Sequence, residues 1–235
     1  KTNNRNNCDD SETEAPVDDI LVATSGGGFI AIQAKTSVNL SAAPNGGLAK
    51  TIQQFVRQWL VCRNGKGAQL WDRPLDAQRD RLVLAVGPEA PASVRIDLPA
   101  ALRLHLQPGS AALTKDQEHA LRVFEHCAEA AWNETTAEPW NPAIVNELAQ
   151  LVAVWTFDPN GADARSMETI AEGVAAPGQS RALLTALFHL CDRWMTERSG
   201  ADLAGLRRSL MQERVSLAAS PLFPADIRAL QEHSL

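Results

Sequence analysis

Two short runs of β-branched and apolar residues, Ile20–Thr24 and Phe29–Ala34, stand on either side of Ser25-Gly26-Gly27-Gly28. Residues that favour a pleated surface, joined by glycines that tolerate positive φ, predict an antiparallel hairpin. A lone hairpin is marginal in water, so the remaining chain must cover or extend it. Leu48, Ile52, Phe55, Val56, Trp59 and Leu60 recur at helical spacing and predict an amphipathic helix over Leu48–Cys62. Arg81–Gly87 reads as a third, buried strand.

Ala100–Leu106 fits either a short helix or a strand. Beyond Pro108–Gly109 the pattern becomes helical, over Lys115–Trp132, Pro142–Ala153, Ser166–Val174, Gln179–Arg198 and Asp202–Gln212. Thr114 and Asn141 stand where helix starts are expected, and Val152–Asp158 fits one further strand. The expected fold is therefore α/β, of the α+β kind: a mixed β-sheet flanked by helices, with a C-terminal helical subdomain. The expected organisation is a polar leader over 1–16, an α/β core over 17–110 and a mainly helical subdomain over 111–235.

The chain has 235 residues, 45% of them hydrophobic, which is enough to bury a sizeable core and excludes a disordered or collagen-like polymer. No apolar run approaches the roughly 20 residues of a membrane helix, and no signal-peptide pattern is visible. The four cysteines (Cys8, Cys62, Cys127, Cys191) show no paired spacing for zinc and read as reduced thiols, mostly in the core. The chain starts at Lys1 without a methionine, so a piece of a longer protein is expected.

A net charge of −6 argues at first against a nucleic-acid partner. The charge is unevenly spread, with −4 over residues 1–34, +5 over 35–81 and −7 over 82–235. Lys50, Arg57, Arg63 and Lys66 lie in the basic middle and are the candidate phosphate contacts. An ordinary solvated surface is the alternative reading.

The hairpin's ends carry the chemistry. Asp18 and Asp19 immediately precede the first strand, while Gln33 and Lys35 close the second, two residues apart on one face. An antiparallel turn brings these ends together. A carboxylate and a second oxygen donor suit a hard divalent cation, and a lysine suits a water that attacks phosphorus. Either aspartate could face the site, since a one-residue shift of register reverses facing. A plain hairpin with polar ends remains the simpler alternative.

Asp19, the strand, the turn and Gln33-Ala34-Lys35-Thr36-Ser37 together resemble the PD-(D/E)XK nuclease superfamily. More narrowly, they are similar to the double-stranded-DNA endonuclease effector domains of bacterial antiphage defence, found with CBASS sensors, antiviral STAND ATPases and Lamassu-like proteins. The resemblance implies Asp19 and Gln33 as ligands of Mg²⁺ (or Mn²⁺) and Lys35 as the catalytic lysine, with Asp18 the alternative to Asp19. Gln33 would act through its side chain or a neighbouring carbonyl, and it stands where the family usually has an acid. A further glutamate is expected on a helix preceding the first strand, and none is visible. The resemblance also implies double-stranded DNA as substrate, a fused or associated sensor or ATPase module, homo-oligomeric activation and a bacterial cytoplasmic location. A catalytically inactive DNA-binding or assembly module is the alternative, and a helical interaction domain with an incidental hairpin is a third.

Among other candidates, Ser25–Gly28 lacks the Gly-Lys-Ser/Thr ending of a phosphate loop and reads as a turn. The five histidines read as structural. Trp59, Trp155 and Trp194 are expected in the core, while Trp71 beside Asp72-Arg73 is a candidate exposed contact. Gln53 and Gln54 are weak candidates for positions near the site.

Overall fold

The computed structural model describes residues 16–17, 19–24, 26–65, 71–107, 112–197 and 199–218. Asp18, Lys66, Cys8, Ser25, His233 and nearly all of the polar leader lie outside these. The described chain is α/β and divides into two compact units, one ending at Phe157 and the other beginning at Asp158.

The first unit is built on a four-stranded mixed sheet in the order β1 (Ile20–Ala23), β2 (Phe29–Lys35), β3 (Arg81–Val86) and β4 (Val152–Thr156). β1 and β2 form the predicted antiparallel hairpin, with Ile20 opposite Ile32 and Ala23 opposite Phe29. Its turn is closed by Thr24, whose amide donates to the Gly28 carbonyl at 2.9 Å. Gly27 adopts φ 75°, and a Cβ on Gly28 would meet the Arg79 carbonyl oxygen at 2.3 Å, so both glycines are required by geometry.

β2, β3 and β4 run parallel, with Gln33 beside Leu84 and Leu84 beside Val154. Parallel neighbours need long crossovers. The first is α1 (Gly47–Arg63); the second contains a π-helical turn (Ser93–Asp97), α2 (Leu98–His105), α3 (Lys115–Thr135) and α4 (Ala143–Leu151). The ambiguous segment near Ala100 is thus helical.

Alternation along the strands sorts the sheet's two faces. Phe29, Ala31, Leu82, Leu84 and Val86 join the apolar faces of α1, α2, α3 and α4 in one core. Ile20, Val22 and Trp155 project from the other face and are exposed. This corrects the expectation for Trp155: it sits on an edge strand and points away from the helices. Trp71 is corrected in the opposite sense, being buried at 6% exposure beside Cys62, whose thiol donates to the Trp71 carbonyl at 3.2 Å.

α3 starts with a capping box at its predicted cap. Thr114 Oγ1 accepts from the Gln117 amide at 3.3 Å, and Gln117 Oε1 accepts from the Thr114 amide at 3.0 Å. Its apolar stripe, from Ala120 through Phe124 to Trp132, packs into the same core as α1. The helices after residue 110 therefore do not all form a separate subdomain. α3, α4 and β4 complete the sheet unit, because β4 is a strand of its sheet.

The second unit holds α5 (Ala162–Val174), α6 (Ser180–Glu197) and α7 (Leu203–Gln212). Asp202 caps α7 by accepting from the Gly205 amide at 2.6 Å. Its core is thin: Ala171, Ala175, Leu183, Ala186, Leu190, Leu210 and Val215 are buried, three of them alanines. No helix among the described residues is long and apolar enough to cross a membrane.

Candidate active site

Asp19 lies one residue before β1, so the hairpin register continues to set it opposite Gln33. Its carboxylate Oδ2 accepts from the Gln33 side-chain amide and from the Ala34 backbone N–H at 2.7 Å. The two hydrogen bonds tie the carboxylate to β2 just beyond the last β1–β2 pair, where β2 is still paired with β3.

The approach to Asp19 is held from behind. Val17 is fully buried, and its N–H donates to Gln58 Oε1 of α1 at 3.3 Å. Gln58 is itself buried, its amide donating to the Cys62 thiol at 3.2 Å. Gln58 is a residue that sequence reasoning missed. The signal was a polar side chain at a core position of the stripe that carries Phe55, Trp59 and Cys62.

Gln33 is buried to 2% exposure, on the helix-covered face between Ala31 and Lys35. Its Nε2 is used by Asp19, and its Oε1 is buried without a hydrogen-bond partner among the described residues. A buried amide oxygen left unpaired costs roughly 1–3 kcal/mol. Such an atom marks a place where a ligand, ion or water adds a favourable contact. Lys35, half-buried, follows two residues later on the same face, about 6.7 Å along the strand, and is paired in register with Val86. It is in no ion pair among the described residues. Asp19, Gln33 and Lys35 are thus gathered at one end of the sheet.

The donors here are one carboxylate oxygen not engaged by the ladder, one orphaned amide oxygen and nearby backbone. Among the described residues, no three His, Cys, Asp or Glu side chains gather to hold an ion. Mg²⁺ often takes only one or two carboxylates and keeps waters and substrate phosphate oxygens for its remaining positions. The residues present fit that pattern of binding.

The basic segment is placed differently from expectation. Arg57 pairs with Glu134 at 3.4 Å and Arg63 with Glu138 at 3.5 Å, all four exposed. Gln53 also donates to Glu134, at 2.6 Å. Arg73 and Arg79 pair with Asp80 and Asp76. Arg81 donates to the Asp80 carbonyl at 2.7 Å. Lys50 alone of the candidate phosphate contacts is exposed and in no ion pair among the described residues.

At the opposite end of β2, Asp80 is fully buried and accepts from the Phe29 amide at 2.9 Å, the Asp76 amide at 2.7 Å and both terminal nitrogens of Arg73. Burial alone would raise its pKa, but the Arg73 guanidinium and the two amides hold the carboxyl below its ordinary value. Arg73 also donates to the Gly27 carbonyl at 2.9 Å, so this clasp locks the hairpin turn to β3.

An open groove of about 500 Å³ between α2, α3 and α4 includes none of the predicted site residues. In it His105 Nε2 lies 2.7 Å from Asn146 Oδ1. No model of a protein family matches the chain, and no curated protein or solved structure matches it.

Proposed function

We propose that the unit ending at Phe157 is a divalent-cation-dependent endonuclease module that cleaves the backbone of double-stranded DNA without reading bases. The observation that carries this reading is the convergence at one end of the sheet of Asp19 with a Gln33 oxygen and a Lys35 ammonium that have no partner among the described residues. Asp19 and Gln33 Oε1 would hold Mg²⁺ or Mn²⁺, a cation that polarises a phosphate and acidifies a bound water. Lys35 would hold its ammonium against the scissile phosphate, orient the attacking water and balance the charge that develops on the phosphoryl oxygens. Lys50 would contact the backbone, which supplies affinity and carries no sequence information. Control by a fused or associated sensor or ATPase, through oligomerisation in antiphage defence, belongs to the same proposal.

A second reading, a nuclease-like DNA-binding or assembly module without catalysis, is favoured by one specific contact. The Gln33 amide donates to the carboxylate that a cation would need. Incubating the full chain with supercoiled plasmid and Mg²⁺ or Mn²⁺ separates the two. Cutting that is lost in Asp19→Ala supports the nuclease. Cutting that persists in Asp19→Ala removes this site, and retarded but intact plasmid favours the second reading.

A further inference from the structure

The outward face of α6 carries a basic residue in its first turn, an exposed aromatic near its middle and an acidic residue one turn later, with an exposed methionine beyond. Leu183, Ala186 and Leu190 face the core of the second unit. On the other side, Arg181, Phe188, Asp192 and Met195 fall within about 60° of arc at 100° per residue. Phe188 is 56% exposed and Met195 71%. Neither Arg181 nor Asp192 is in an ion pair among the described residues.

Arg181 and Asp192 are eleven residues apart, three helical turns or about 16.5 Å, so they cannot pair within the helix. Two copies of α6 laid antiparallel about a two-fold axis near Ala186–Leu187 place each Arg181 against the other copy's Asp192. The same register sets Phe188 over Thr185 of its mate. A face whose basic and acidic residues flank an aromatic is complementary to itself reversed over that stretch. That is the requirement of a two-fold, isologous interface.

The geometry points to a second copy of this chain as the occupant: the protein forms a homodimer through antiparallel α6 helices, with Phe188 at the centre and two Arg181–Asp192 pairs at the ends. This does not depend on the chemistry assigned to Asp19 and Lys35. A contact of one helix per chain lies below the roughly 1,200 Å² of a standard interface, so the dimer dissociates on dilution.

Sedimentation equilibrium of the full chain over about 1–100 μM, the range in which a small interface is expected to dissociate, tests it. The expected mass rises with concentration from the 25.4 kDa of one chain toward twice that value. Phe188→Glu, with unchanged far-UV circular dichroism, is expected to stay at the mass of one chain. Arg181→Asp and Asp192→Arg alone are each expected to weaken association about tenfold, and together to restore it. A wild-type mass fixed at one chain, whatever else binds the face, overturns the proposal. So does a Phe188→Glu chain that associates like wild type, or a double reversal no stronger than the single ones.

Discussion

The side-chain amide of Gln33 donates to the carboxylate of Asp19, while its own oxygen is buried without a partner among the described residues. The pair thus stores an unmet acceptor beside an anion. Gln33→Glu sharpens the consequence. Two carboxylates at hydrogen-bonding distance repel, so without divalent cations the variant should be less stable than wild type by about 1–3 kcal/mol. Added Mg²⁺ should recover most of that loss through binding to the folded state. Thermal unfolding in EDTA and in Mg²⁺ measures both, and a melting temperature indifferent to Mg²⁺ would count against a cation at this position.

The Arg73–Asp80 clasp sets an acid limit on stability. Asp80 has a depressed pKa in the fold, so its contribution is fully present above the ordinary carboxylate value near pH 4 and is lost as pH falls through the lower folded value. Arg73→Ala leaves a buried carboxylate without its cation, held by two backbone amides alone, and should cost about 3–5 kcal/mol at pH 7. The deficit relative to wild type should shrink at pH 3. Urea unfolding at the two pH values tests this, and a deficit independent of pH would contradict it.

The arginines engaged by glutamates make a prediction about DNA. Glu134→Gln with Glu138→Gln releases Arg57 and Arg63. Binding to duplex DNA should tighten, and the slope of log K against log salt should steepen by up to about 2. An unchanged slope would place this side of α1 away from the nucleic acid.

Thiol chemistry should follow burial. Burial pushes the Cys127 thiol up to about 11 and raises Cys62 as well, whereas Cys191 is exposed. Mass spectrometry after brief alkylation at pH 7.5 should find Cys191 modified, and Cys62 and Cys127 only after unfolding. Early modification of Cys127 would show that the α3 core opens readily.

Local pattern made much of this fold legible. The glycine turn between two β-rich runs, the stripe from Leu48 to Leu60 and the Thr114 cap each act within a few residues, and each formed where its chemistry required. What sequence could not supply was long-range pairing. Charge counted by segment made residues 35–81 look like a free basic patch, but Glu134 and Glu138, contributed by distant chain, neutralise Arg57 and Arg63. The unit boundary at Phe157 was hidden for the same reason, since only a parallel partner shows that β4 belongs to the sheet. At the site, the facing of Asp19 followed from register, whereas the support from Gln58 through Val17 needed the packed helix.

The most direct measurement is the rate of plasmid cleavage by Lys35→Ala beside wild type, in Mg²⁺, with melting temperatures taken on the same samples. Lys35 makes no ion pair among the described residues, so its truncation should leave the fold intact while slowing cleavage by about 100-fold or more. Equal cleavage rates in the two folded proteins would contradict the account.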